Sequence, residues 1–376
     1  MKPKYTAKFI FILWSITAIV ACDSSHSRNK MESTEVALSE ESSPTFLAWV
    51  TADKTRSDDS FAKEFRSYNE NGIDAILINT YADPNVLARL VPIAKKANLE
   101  VHAWMFTINR PGDAIAEQHP EWYAVSRDGK SCFDEPPYVD YYKWLCPSRE
   151  GAKAHILSLV EGLAKVEGIT SVHLDYIRYS DIFLPISLLP KYNLVQNEEL
   201  ARYDFCYCDV CTSEFEKLHH KNPVDFTHPG IDMEWKNFRL NKVKSIVDDA
   251  YVIAHKYDKK LTAAVFPYPE MADHMVRQRW DKWDVDAVFP MIYNQFYDEE
   301  IDWIGYATKQ GITDLHPKKT KLFAGIYLPS MSATDLEEAI HLAMQNGAAG
   351  ISFFDGPAFT SEQISIIKSF KKLPKK

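Results

Sequence analysis

The sequence predicts an α/β fold, a (β/α)8 TIM barrel with long loops after strands 3 and 4. Three observations predict it. A short apolar, β-rich run followed by an amphipathic segment recurs eight times along the chain. The runs are apolar nearly throughout, as expected for parallel strands covered on both faces. No GxGxxG or GxxxxGK[ST] pattern follows the first run, which argues against an open nucleotide-binding sheet. Residues 46–374 carry the repeats and suit the upper size range of one barrel domain.

The strands are read in order as FLAWVTA (46–52), DAILINTY (74–81), EVHAWMFTIN (100–109) and SVHLDYIRY (171–179). KLTAAVFPYP (260–269), DAVFPMIYN (286–294), KLFAGIYLP (321–329) and AGISFFDGP (349–357) complete the set. Helical patterns lie between them. FAKEFRSYNENG ends on Gly72, a helix stop signal, and 231–258 places Val243, Ile246, Val247, Ala250, Ile253 and Ala254 on one face. SATDLEEAIHLAMQNG opens with the capping-box spacing Thr334 to Glu337 and closes on Gly347. Two excursions break the rhythm: 110–149 after strand 3 and 180–230 after strand 4. Both are βα loops, so both rise over the C-terminal face, where barrel enzymes act.

The chain opens on MKPKYTAK, then the 13-residue apolar run FIFILWSITAIVA, then Cys22. A basic start and a short apolar run read as a secretory signal over 1–21, too short to span a bilayer. Ile19-Val20-Ala21-Cys22 resembles the lipobox of bacterial lipoproteins. That resemblance implies lipidation at Cys22, a membrane contact through the lipid anchor only, and a place in the bacterial cell envelope. Ordinary cleavage near Ala21 is the alternative. Residues 22–45, rich in Ser and Glu and free of aromatic side chains, read as a flexible tether. Net charge is −9 and no basic cluster stands out before the KKLPKK tail, so nucleic acid is not an expected partner.

Polar residues recur at the C-terminal ends of the strands: Asp53, Asn79, Tyr81, His102, Trp104, Asn109, His173, Asp175, Tyr268, Glu270, Tyr293, Asn294, Tyr327 and Asp355. His173 and Asp175 are two apart and share one strand face, as do His102 and Trp104. Such a constellation suits glycoside hydrolysis, in which one carboxyl protonates the leaving oxygen and a second attacks or activates water. Substrate-assisted enzymes use the sugar's own acetamido group instead of the second carboxylate. Asp175 is the main catalytic candidate, with an ion pair to Arg178 as the plainer reading. Glu270 is the first choice as acid, though it can simply start a helix. Asp355 is the second choice, though it can simply cap the turn DGP. His102, Trp104, His173, Arg178, Tyr268, Tyr293 and Asn294 are expected to bind the sugar.

HAWMFTINRPG, HPEWYAVSRDGK, LCPSREGAKAHI, GITSVHLDYIRYSD and DAVFPMIYN together resemble glycosyl hydrolase-like family 10, a group of bacterial barrel hydrolases. The resemblance covers roughly 46–370, and its most specific piece is HLDYIRY followed by FCYCDVC. It implies a secreted or lipid-anchored protein acting on polysaccharide, with Asp175 catalytic. The first strand lacks the Arg-rich opening of many members. Met291-Ile292-Tyr293-Asn294 is similar to the Met-x-Tyr-Asp strand of family 18 chitinases, with Asn in place of Asp. The DxxDxDxE signature of that family is absent.

Apart from Cys22, five cysteines remain: Cys132, Cys146, Cys206, Cys208 and Cys211. Cys206-Tyr-Cys208-Asp-Val-Cys211 is similar to the C-x-C-x-x-C zinc cluster of family 42 β-galactosidases. Cys146 or, failing that, Cys132 would be the fourth ligand of a closed tetrahedral site. Such a zinc is structural, so no cofactor is expected for catalysis. Disulfides are the alternative, because an exported chain meets oxidising conditions.

Three functions compete. The first is a lipid-anchored glycoside hydrolase. The second is a non-catalytic glycan-binding lipoprotein on a degenerate barrel. The third is an enzyme of another class, since fold does not fix chemistry. The lack of a phosphate-binding glycine loop near strands 7 and 8 counts against phosphorylated substrates.

Overall fold

Eight parallel strands close into a barrel in sequence order, each hydrogen-bonded to the next and β8 to β1. The structure is a computed structural model and describes residues 43–53, 55–329, 331–356 and 359–372. The expected leader, Cys22 and nearly all of the tether lie outside the described residues. Among the described residues no helix is long and apolar enough to cross a membrane.

The chain runs β1 (Thr45–Thr51), α1 (Asp58–Glu70), β2 (Ala75–Asn79), α2 (Pro84–Lys96), β3 (Glu100–Phe106) and α3 (Glu150–Ala164). It continues β4 (Ser171–Asp175), α4 (Asp209–His219), α5 (Met233–Lys256), β5 (Lys260–Val265), α6 (Pro269–Val276) and β6 (Ala287–Pro290). It ends α7 (Asn294–Tyr297), α8 (Trp303–Leu315), β7 (Lys321–Tyr327), α9 (Ala333–Gln345), β8 (Gly350–Phe354) and α10 (Ser361–Lys372).

All eight expected strands are present, and each is shorter at its C-terminal end than its apolar run. Strand 4 stops at Asp175 because Tyr176 turns to φ +51°, a left-handed conformation that no strand contains. Strand 6 stops at Pro290 and strand 5 at Val265. Arg178, Tyr268 and Tyr293 therefore lie on loops and Asn294 opens α7, none of them on a strand. The cap of α9 is also corrected: Ser332, not Thr334, accepts the backbone N–H of Asp335. Gly72 and Gly347 do follow their helices, at φ +91° and +95°.

The core has two layers. Outward-facing strand residues pack under the helices. Inside the barrel, Leu47, Trp49, Ala75, Leu77, Trp104, Ala264, Ala287 and Phe289 form a second cluster, onto which Phe106, Phe323 and Phe354 pack. Closure at β1–β8 is tight: a Cβ on Gly350 would fall 2.1 Å from the Thr45 carbonyl oxygen.

The two long loops are built structures. Loop 3 returns to its strand where Asn109 Oδ1 accepts the Lys143 N–H at 2.8 Å, and Arg110 and His155 both hold Asp113 at 2.8 Å. Loop 4 contains α4, a helix missing from the sequence reading of 180–230.

Candidate active site

Asp175 ends β4 on the inner side of the barrel and is 9% exposed. Trp104 Nε1 donates to its Oδ2 at 3.0 Å, and the backbone N–H of Tyr176 donates to its Oδ1 at 2.7 Å. Both bonds favour the carboxylate, as does the charge of Arg178, but desolvation outweighs them. The Asp175 pKa is pushed up to about 6. Such a group exchanges its proton near neutrality, as a catalytic acid or base must.

Arg178 is not the salt-bridge partner of Asp175. Its Nη1 donates to Asp181 Oδ2 at 3.1 Å and to the Tyr179 carbonyl at 2.9 Å. Its guanidinium also lies 4.9 Å from the ring centroids of Trp144 and of Phe266. Arg178, expected to bind sugar, is a buried residue whose guanidinium is engaged by Asp181, the Tyr179 carbonyl and the Trp144 and Phe266 rings.

Aromatic side chains surround Asp175. Phe106 pairs with it in the β3–β4 register, and the Phe106 and Tyr176 rings are 4.6 Å apart. Tyr293, just past β6, feels the charge of Asp175; burial first and that charge second push its pKa well up. Its ring contacts Phe354, Tyr327 and Phe296 at 5.9, 5.7 and 5.6 Å. Asn79 follows Ala75 and Leu77 on the inward face of β2, beside Trp104 in register. Its Oδ1 accepts the Tyr81 N–H at 2.8 Å, which fixes the amide orientation.

His102 and His173 lie lower, inside the barrel. A hydrogen-bonded chain runs from His102 Nδ1 to Ser171 Oγ (2.7 Å), on to Thr262 Oγ1 (3.2 Å), and back to His173 Nδ1 (2.8 Å). Burial pushes the His102 pKa down to about 4, and that of His173 well below its ordinary value. His173 has no exposed surface and stands edge-on to Trp49 and Phe289. These two histidines belong to the floor beneath the mouth, not to its wall.

The remaining candidates scatter. Glu270 is exposed in the first turn of α6. Asp355 is exposed past β8, and its pKa is raised by desolvation first and by the nearby Glu64 second. No hydrogen bond or ion pair links either carboxylate to Asp175 among the described residues. Tyr268 packs edge-on against Trp303 and Tyr306 of α8. Asn294 turns its amide to the Glu299 carbonyl at 3.0 Å. Of the expected set, then, Trp104 and Tyr293 join Asp175. The sequence reading placed Tyr176 within the strand, whose alternation would face it away from Asp175. Only the positive φ brings it to the mouth.

Beside the mouth, Cys146 of loop 3 meets Cys206, Cys208 and Cys211 of loop 4, all buried free thiols with sulfurs within 4.8 Å of one another. Cys146 Sγ is 3.6 Å from Cys208 Sγ and 3.4 Å from Cys211 Sγ. A tetrahedral zinc with Zn–S bonds of about 2.3 Å would set its sulfurs about 3.8 Å apart. The donor set therefore fits a thiophilic divalent cation. Arg149, hydrogen-bonded to Asp209, sits where it feels the charges of Cys208 and Cys146. Cys132 stands apart, its thiol pKa raised by burial.

Fold and site define a (β/α)8 barrel protein with a buried carboxylate, its pKa raised by desolvation, and aromatic rings at the C-terminal mouth. The chain belongs to the glycosyl hydrolase-like 10 family, whose sequence pattern matches residues 68–340. No curated protein matches it by sequence. Solved structures match in fold. The catalytic domain of a β-amylase from Paenibacillus polymyxa has a TM-score of 0.63 at 10% identity, over 88% of this chain and 99% of that one. The glycoside hydrolase domain of PgaB (BpsB) from Bordetella bronchiseptica has a TM-score of 0.61 at 10% identity, over 88% and 98%. A β-galactosidase from the psychrophilic Marinomonas ef1 has a TM-score of 0.59 at 9% identity, over 87% of this chain and 59% of that one.

Proposed function

We propose that the protein is a glycoside hydrolase in which Asp175 is the proton donor. The observation that carries this reading is one buried carboxylate, held near pKa 6, at the C-terminal end of β4 among aromatic rings. Asp175 gives its proton to the glycosidic oxygen as the bond to the anomeric carbon breaks. In this reading the substrate's own acetamido oxygen is the nucleophile, supported by the likeness of Met291-Ile292-Tyr293-Asn294 to the strand of the substrate-assisted family 18 chitinases. That oxygen bonds the anomeric carbon and forms a cyclic oxazolinium ion. The Asp175 carboxylate then takes a proton from the water that opens this ion, which restores the acid. Glu270 and Asp355 take no part in this scheme. Asp175→Asn is expected to abolish release of reducing ends from acetamido-sugar oligomers while circular dichroism and melting stay intact. A variant that keeps full activity would sink the assignment.

The exposure of both other candidate carboxylates, Glu270 and Asp355, favours one rival, a non-catalytic glycan-binding lipoprotein. It predicts saturable binding with no product after long incubation, and any enzyme-dependent product excludes it.

Two further parts of the reading are separate. Cys146, Cys206, Cys208 and Cys211 hold a structural zinc that ties loop 3 to loop 4. All four ligand positions are thiolates, so no position is left for a catalytic water. The expected result is about one zinc per chain by elemental analysis, lost in Cys146→Ser. Metal-free protein with two disulfides would refute it. Cys22 carries the lipid that anchors the protein in a bacterial cell envelope, a reading supported by the Ile19–Cys22 motif. Labelled palmitate should be incorporated by the full chain and not by Cys22→Ser.

A further inference from the structure

Inside the barrel, close to the Trp104 that donates to Asp175, three buried polar atoms have no hydrogen-bond partner among the described residues. They are Trp49 Nε1, His173 Nε2 and Ser352 Oγ. Trp49 is 3% exposed, and His173 and Ser352 have no exposed surface. A buried donor left unpaired is costly, and native folds pair such groups with protein atoms or ordered water.

Strand register brings the three together. Inward residues of a closed eight-stranded barrel stack in layers of four, drawn from alternate strands. The registers place Trp49 and Trp104 in one layer with Ala264 and Gly325. They place His173 and Ser352, from the opposite strands β4 and β8, in the next layer down with Phe289. Trp49 stands edge-on to Trp104 at 4.8 Å and to His173 at 5.0 Å. His173 stands edge-on to Phe289 at 4.8 Å. Ala264 and Gly325 add almost no bulk to the upper layer, so the two indoles alone share the axis at that level.

The chemistry of the three atoms selects their partner. An indole Nε1 only donates, whereas imidazole Nε2 and serine Oγ donate or accept. A metal cation cannot bond an indole N–H. An anion would meet only neutral imidazoles, because burial holds the His102 pKa at about 4 and that of His173 well below its ordinary value. One water accepts from Trp49 and makes two further bonds, the usual number for a buried water. The other nitrogen of His173 is already engaged: Nδ1 is 2.8 Å from Thr262 Oγ1, which fixes the imidazole plane.

We propose that Trp49 Nε1, His173 Nε2 and Ser352 Oγ bind one internal water on the barrel axis, and that this water, by holding the Trp49 ring against Trp104, positions the indole that donates to Asp175. The three side chains are positioning residues and do not touch the reacting atoms. The water site stands without the glycosidase reading, and only the catalytic meaning of Asp175 rests on that reading.

Two measurements on the full chain test this. A high-resolution crystal structure of the wild type should show one water within about 3 Å of all three atoms. No water in contact with all three overturns the site. The second measurement is a carbon-13 NMR titration of the Asp175 carboxyl, whose signal is assigned by its loss in Asp175→Asn. Ser352→Ala removes one partner of the water without adding bulk. It should raise the Asp175 pKa from about 6 by roughly half a unit, because a looser indole donates less well to the carboxylate. Ser352→Thr keeps the hydroxyl and should keep the wild-type value. An unmoved pKa in Ser352→Ala, or an equal rise in Ser352→Thr, overturns the positioning role. Neither measurement uses a substrate. The expected water and pKa shifts in a protein that hydrolyses nothing would keep this inference and remove the glycosidase reading. Hydrolysis by a protein without the water does the reverse.

Discussion

Trp104→Phe isolates the force that sets the protonation of Asp175. The indole N–H donates to Oδ2 at 3.0 Å in a buried setting, and a phenyl ring keeps most of the bulk without the donor. A hydrogen bond to a charged group contributes about 1.5–3 kcal/mol, and about 1.36 kcal/mol corresponds to one pKa unit. The lost donor favoured the ionised form, so its removal raises the pKa. From about 6, the value should move to roughly 7–8. As a proton donor, Asp175 is active when protonated, so kcat/KM in the wild type should fall as pH rises through about 6. In Trp104→Phe that limb should move up by about one to two units, because kcat/KM reports the free enzyme. The assay is kcat/KM from pH 4 to 9 on one oligosaccharide, with urea unfolding run alongside to track the packing lost against Trp49, whose ring is 4.8 Å away. An unmoved limb would refute the hydrogen-bond argument. A profile that rises through pH 6 would instead make Asp175 a base.

Two stability predictions follow from buried polar groups. Arg178→Met leaves Asp181, 4% exposed, without its ion-pair partner. It should cost about 3–5 kcal/mol in urea unfolding, and a loss below about 1 would show that water or another donor replaces the guanidinium. His102 has its folded-state pKa lowered to about 4 from 6.5. Its contribution is complete above pH 6.5 and is lost as pH falls toward 4, by up to about 3 kcal/mol. Comparing urea midpoints at pH 7 and pH 4.5 should show a smaller difference in His102→Gln than in the wild type. An equal difference would place the acid sensitivity elsewhere.

The barrel was legible because its signals are local and repeated. Eight apolar runs separated by helical patterns need only strand and helix periodicity to be recognised, and parallel pairing follows from the intervening helices. Trp104 and Asp175 could be placed on adjacent strands for the same reason. The fourth thiol, Cys146, was named from a motif likeness, and the structure brings it to the other three.

What sequence alone determined about this protein is the order of its elements, the face that His173 shares with Asp175 and His102 with Trp104, and the loops that overhang the mouth. Tertiary structure decided which polar groups meet. Asp175 pairs with Trp104 and not with Arg178, because Arg178 finds Asp181 three residues on. His102 and His173 drop into the floor, since inward strand residues below the end layer are closed off from solvent. Tyr176 joins the mouth through a backbone angle that strand periodicity cannot foresee. The physical reason is common to all three. Periodicity fixes the face of an element, whereas a side chain's partner and its proton affinity depend on distances between elements far apart in the chain.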